Sequence, residues 1–221
     1  MKATFNNNKT TTTGGYFSTK QYKAMLPIKQ PKRAHGLVKL HKDPQGTKFR
    51  PIVSGFNTCT SGVEKYLKST LKSLINDCQY SVNGIKHFKQ DFQKHREKFD
   101  KEKHIFVSFD AVSLYTNVNV ETTVDYIVDR LYENPEILRQ YEKKTINSEP
   151  IELPPIPKDK LKNIFLEVLL NINTFHAGEK IFQQKEGLVM GNSISPILAN
   201  LFCHMMESKV IKPKHGKEVI Y

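Results

Sequence analysis

The run His104–Val118, HIFVSFDAVSLYTNV, constrains this chain more than any other stretch. Ile105, Val107 and Phe109 alternate with Phe106, Ser108 and Asp110, the period of a β-strand with at least one buried face. The run is apolar until its last position, where Asp110 arrives, followed at once by Ala111-Val112-Ser113. A carboxylate at the end of a core strand is costly to desolvate unless a cation, a metal or several donors compensate it. Taken alone, such an Asp caps the turn or helix that follows. It becomes a catalytic candidate only if the rest of the chain supplies a partner.

A second stretch, Gln184–Phe202, reads QKEGLVMGNSISPILANLF. Gly187 and Gly191 bracket a short apolar piece, and both allow close approach of backbone to a ligand. Ser195-Pro196 reads as an N-cap and first helical residue, with Ile197, Leu198, Leu201 and Phe202 following at helical spacing. A lone glycine turn before a helix is weak evidence, and a structural C-cap or tight turn is the commoner explanation.

Taken together, SFDAVSLYTNV followed by QxxGLVMGNSISPxLANLF resembles the reverse transcriptase domain of Penelope-like retroelements, relatives of telomerase. The resemblance reaches back to LVKLHK (Leu37–Lys42) and FRPIVSG (Phe49–Gly55), so it runs from about Gly36 to Tyr221. It implies an α/β (α+β) right-hand polymerase fragment comprising the fingers and part of the palm. The implied divisions are a disordered arm over 1–19, a fingers-like region over 20–100, and a partial palm with interleaved fingers elements over 101–221. In the family, Asp110 is a catalytic metal ligand, aided by the backbone carbonyl of Ala111. Arg50 contacts the triphosphate, with Lys48 and Lys42 as weaker candidates. Tyr115 discriminates the sugar, and Gln184, Gly187, Met190, Gly191 and Ser195 position nucleotide and template. The implied partners are an RNA template, a DNA primer and deoxynucleoside triphosphates. The implied cofactor is a pair of Mg²⁺ ions, which need hard oxygen ligands. Family members complete that pair with Tyr-x-Asp-Asp; no two Asp residues are adjacent in these 221 residues, so the expected site is incomplete and the fragment inactive alone. The Glu218–Tyr221 segment reads as a strand just starting, before that motif. The family's thumb and frequent endonuclease are likewise expected to be absent, and the N-terminal end truncated. Two alternatives stand beside this reading: a non-catalytic nucleic-acid-binding remnant of a decayed element, and an unrelated basic RNA-binding protein, which fits the charge but not the ordered blocks.

Charge agrees with a polyanionic partner. Thirty-four Lys and Arg against 22 Asp and Glu leave a net charge of +12, which favours nucleic acid over a membrane surface. No apolar run approaches the ~18 residues needed to span a bilayer, and no signal-peptide pattern opens the chain. Cys59, Cys78 and Cys203 are odd in number and lack metal-type spacing, which suggests reduced intracellular thiols. The scattered His residues form no zinc site. Lys29–Arg33 and Lys212–Lys217 are weak basic clusters pointing to a nuclear address.

In chain order, the Asn and Thr runs and Gly14-Gly15 make a disordered arm of residues 1–19. Lys20–Arg50 carries nine Lys/Arg against one acid, Asp43, interleaved with apolar residues. The turn signal Asp43-Pro44-Gln45-Gly46 makes Leu37–His41 and Phe49–Val53 a basic hairpin suited to phosphate. Cys59–Cys78 is an amphipathic helix with Val63, Tyr66, Leu67, Thr70, Leu71, Leu74 and Ile75 on one face. His87–Lys103 is a charged, exposed helix with a connector. Val124, Ile127, Val128 and Leu131 mark a helix stopped at Asn134-Pro135, and Glu149–Pro157 is a Pro-rich linker or loop. Leu161, Ile164, Phe165, Val168 and Leu169 mark another packed helix. Asn173–Gln184 is a hairpin turning at Ala177-Gly178, delivering the chain to the glycine loop.

Overall fold

The computed structural model describes residues 16–214 except 18, 26–29, 40–44, 47, 77, 79–80, 83, 101, 104, 143–150 and 154. Lys42, the DPQG turn up to Pro44, most of the N-terminal arm and the 218–221 segment lie outside these residues.

The chain mixes helices with two small sheets, an α+β architecture. Helix α1 (Thr19–Met25) leads to a hairpin of β1 (Lys32–Val38) and β2 (Phe49–Ser54), paired antiparallel from Arg33–Ser54 to Val38–Phe49. The expected hairpin is therefore present, with its first strand starting five residues early. A second hairpin, β5 (Thr174–Ala177) and β6 (Lys180–Gln183), turns where Ala177-Gly178 predicts. Strand β5 joins β1 in parallel, Arg33 opposite His176, so one four-stranded sheet in the order β2-β1-β5-β6 draws on segments 140 residues apart in sequence. A separate two-stranded ribbon pairs β3 (Gln140–Glu142) with β4 (Ile151–Leu153). Strand β4 falls inside the stretch expected to be a linker or loop, between Pro150 and Pro154 in the sequence.

The core is helical. On α2 (Ser61–Asn76), Val63, Leu67, Leu71 and Leu74 are buried, while Tyr66, Thr70 and Ile75 are half-buried at its margin. Helix α3 (Gly84–His95) lies outside this core. After the short turn α4 (Leu114–Asn117), helix α5 (Val120–Glu133) buries Val124, Ile127, Val128 and Leu131. Asn119 caps it, accepting from the Thr122 amide at 2.9 Å. A further turn, α6 (Pro135–Leu138), follows the Asn134 stop. Helix α7 (Lys158–Leu166) buries Leu161, Ile164 and Phe165, and a π-turn over Glu167–Asn171 buries Val168 and Leu169. Helix α8 (Ser195–Lys214) adds Ile197, Leu198 and Leu201. These side chains form one cluster, each fully buried Leu, Ile or Phe contributing about 1.5–3 kcal/mol. The cluster also receives Tyr16 and Phe17, with Phe17 edge-on to Tyr66 at 5.2 Å. Tyr16 and Phe17, inside the stretch expected to be a disordered arm, thus lie against the core, and residues 1–15 of that arm lie outside the described residues.

The expectation that fails is the organising strand. Residues 105–110 form no strand and pair with none of the six strands described. Ile105 is 85% exposed and Phe109 93%. Alternation identifies a backbone that would suit a sheet, but strand preference is realised only when another backbone pairs with it. The run is tethered through Phe106, which stacks on Phe99 at 4.6 Å and lies 6.1 Å from Phe92 of α3. Helix α3 buries no residue. It is shorter than expected and passes into a 3₁₀ turn at Arg96–Lys98.

Candidate nucleotide and template site

The glycine loop is fixed by backbone, which explains its glycines. In the sheet order, β2 is an edge strand with unpaired amides on its outer side. The loop covers that edge: Val53 N–H donates to the Met190 carbonyl at 2.7 Å, and Gly55 N–H donates to the Gly191 carbonyl at 3.1 Å. Gly191 has φ +106°, and a Cβ there would meet the Val53 carbonyl oxygen at 2.7 Å and Ile52 Cγ2 at 2.9 Å. At the loop's other end, Leu188 N–H donates to the Tyr115 carbonyl at 2.7 Å. Gly187 has φ +70°, and its Cβ would lie 2.6 Å from that same oxygen and 2.7 Å from Thr116 Cα. No side chain fits at either position.

Tyr115 reaches the loop because the chain turns sharply after Val112. Ser113 adopts φ 51°, ψ 43°, an uncommon conformation for a residue with a side chain. The Thr116 hydroxyl and amide both donate to its carbonyl, and Asn117 Nδ2 donates to the Val112 carbonyl. The Tyr115 side chain is half-buried against the core cluster. Arg50 lies exposed on β2 two residues before Ile52, hence on the face where Ile52 meets Gly191. Lys48 is exposed at the start of β2.

The remaining expected residues divide. Met190 is half-buried and holds β2 through its carbonyl. Gln184 donates its amide side chain to the Glu186 carbonyl at 2.8 Å, closing its own turn. Ser195 does not cap α8: its Oγ is buried without a hydrogen-bond partner, and the Asn192 side chain instead accepts from the Ile194 amide at 2.9 Å. Asp110 and Ala111 are exposed, so the desolvated carboxylate expected from the pattern is not found. Among the described residues no group of three or more His, Cys, Asp or Glu could hold a metal ion. One exposed carboxylate does not amount to a Mg²⁺ pair site.

Pattern reading missed the polar cluster beneath the loop. Glu64, fully buried on α2, accepts from the Thr60 hydroxyl at 2.5 Å and from Asn192 Nδ2 at 3.1 Å. Lys32 Nζ stands 3.4 Å from Glu64 Oε1 and 3.4 Å from Asn173 Oδ1. Both charged side chains have no exposed surface. The π-turn after α7 brings Asn173 to Lys32, and the cluster ties β1, α2, the segment before β5 and the glycine loop at one point. A Lys inside a nine-cation segment gives no sign that it is buried; its signal is its position on the inward side of a strand that begins earlier than expected.

Cys59, Cys78 and Cys203 are free thiols. Away from the site, burial raises the Glu207 carboxyl, and burial with the nearby Glu207 raises the Cys203 thiol. Among the described residues no helix is long and apolar enough to cross a membrane. Compared with protein-family models and with curated proteins, the chain matches none.

Proposed function

We propose that this chain is part of a template-directed nucleotidyltransferase, an RNA-directed DNA polymerase of the Penelope-like retroelement kind. In this reading β1–β2 are the fingers hairpin, and the Tyr115 turn with the glycine loop forms the floor for nucleotide and template. The observation that carries it is the backbone clamp joining β2 and the residue after it (Val53, Gly55), the loop (Leu188, Met190, Gly191) and Tyr115. Three sequence blocks far apart in the chain meet there without room for a Cβ, so the loop is held in one place against β2 and the Tyr115 turn. Arg50 and Lys48 supply cations for a triphosphate beside that floor, and the net charge of +12 suits an RNA template and DNA primer. Asp110 is exposed and belongs to no metal-holding group among the described residues, which supports a chain inactive alone, or the non-catalytic remnant of an enzyme, over an active polymerase in these 221 residues.

The test is equilibrium binding of a primed RNA template across a salt series. Changing Lys39, Lys42 and Lys48 together to Glu is expected to weaken binding and flatten the dependence of log affinity on log salt by about three phosphate contacts. An unchanged slope would put the contact surface elsewhere. Primer extension with Mg²⁺ or Mn²⁺ is expected to yield no product from this chain, and robust processive synthesis would overturn the incomplete-site reading.

A further inference from the structure

Across the β2-β1-β5 part of the sheet, Ser54, Arg33 and His176 are Cα partners on adjacent strands, so their side chains form one row on one face. A recess lies on each side of Arg33. The larger, about 570 Å³, is lined by Gln30, Pro31, Arg33, Ser54, Phe56 and Thr58. The smaller, about 360 Å³, is lined by Pro31, Arg33, Ala34, His176 and Gly178. Among the described residues no acidic side chain lines either one. At the far wall Phe56 is 76% exposed, an aromatic ring held out into solvent. Its posture is built in. Asn57 beside it has φ 52°, the left-handed turn conformation that Asn adopts more readily than most side-chain-bearing residues. The Thr58 hydroxyl donates to the Gly55 carbonyl at 3.1 Å, and Cys59 N–H donates to the Gln30 carbonyl at 3.1 Å, pinning the turn to the rim.

We infer that this row is a binding site for an unpaired polynucleotide strand, one base stacking on Phe56 and its phosphate meeting Arg33. An exposed aromatic beside a lone guanidinium in an open, acid-free groove has the two elements that hold single strands: a π-face that any base can stack on, and a cation for the backbone. The groove begins at Ser54, one residue before Gly55 hydrogen-bonds the glycine loop, so a strand leaving that loop enters it directly. The inference deepens the proposed function, on which it rests for the identity of the strand as RNA template.

The experiment is fluorescence anisotropy of the 221-residue protein with a 5′-labelled 12-nucleotide single-stranded RNA and the DNA of the same sequence. Phe56→Ala is expected to weaken RNA binding by about tenfold or more with an unchanged salt slope, and Phe56→Trp to retain wild-type affinity. Arg33→Gln is expected to lower the salt slope by about one. Circular dichroism melts report folding of each variant. Affinities of Phe56→Ala and Arg33→Gln within twofold of wild type would overturn the site and leave the proposed function standing on the glycine loop. Loss on Phe56→Ala with equal RNA and DNA affinity supports the site as a general single-strand groove. Failure of the wild-type protein to bind either strand would overturn both.

Discussion

Replacing Gly187 with Ala tests whether the glycine loop is held by backbone contact. Two costs are separable. An L-residue at φ +70° loses about 1–2 kcal/mol to left-handed geometry. The added Cβ would also stand 2.6 Å from the Tyr115 carbonyl and 2.7 Å from Thr116 Cα, backbone atoms that no rotamer change can move. Relief requires the loop to lift, straining the Leu188–Tyr115 hydrogen bond, worth about 1 kcal/mol, and forcing overpacking of about 1–3 kcal/mol. The total is about 3–6 kcal/mol. Gly178→Ala isolates the first cost, because Gly178 has φ +62° and nothing within 4 Å of its Cβ position. Urea unfolding followed by circular dichroism, at constant m, is expected to separate the two variants by about 2 kcal/mol or more. Equal destabilisation of both would refute the close approach and remove the clamp from the account.

Three other outcomes follow from the structure. Lys32→Met strands a buried Glu64 and is expected to cost about 3 kcal/mol or more in chemical denaturation, with Glu64→Gln on top recovering most of it; additive losses would contradict the pair. Phe109→Ser is expected to change stability by no more than about 0.5 kcal/mol, whereas a core strand residue would cost several, so the unfolding midpoint decides between structure and sequence pattern. Glu207 has its carboxyl raised by burial, so between the usual glutamate value of 4.5 and the raised one the folded state holds more protons than the unfolded state and stability falls as pH rises. Glu207→Gln is therefore expected to raise the melting temperature at neutral pH and to leave it unchanged below pH 4.5.

Helices were legible where spacing alone decides burial. Val124, Ile127, Val128 and Leu131 repeat at helical intervals, and every one is buried, because a helix supplies its own hydrogen bonds and needs a neighbour only for its apolar stripe. The hairpins were legible from Asp43–Gly46 and Ala177-Gly178, whose turn chemistry is local. The strand at 105–110 was not, since a strand's existence depends on a partner that its own residues cannot specify. The candidate site shows the same division. Gly187 and Gly191 stood out because only glycine fits so near a carbonyl, yet the atoms they approach, Tyr115 O and Val53 O, are 72 and 138 residues away in sequence. Glu64, Asn173 and Asn192 carry no pattern at all: a buried polar network is defined by which side chains meet, not by spacing along the chain.

The most direct measurement is photo-crosslinking of a primed RNA template carrying 4-thiouridine at the templating position, with the adducts mapped by mass spectrometry. The account predicts adducts on β2 and the turn after it, residues 50–56, and on the glycine loop, residues 187–191. Adducts confined to α3 and the exposed 105–112 run, with none on β2 or the loop, would contradict it.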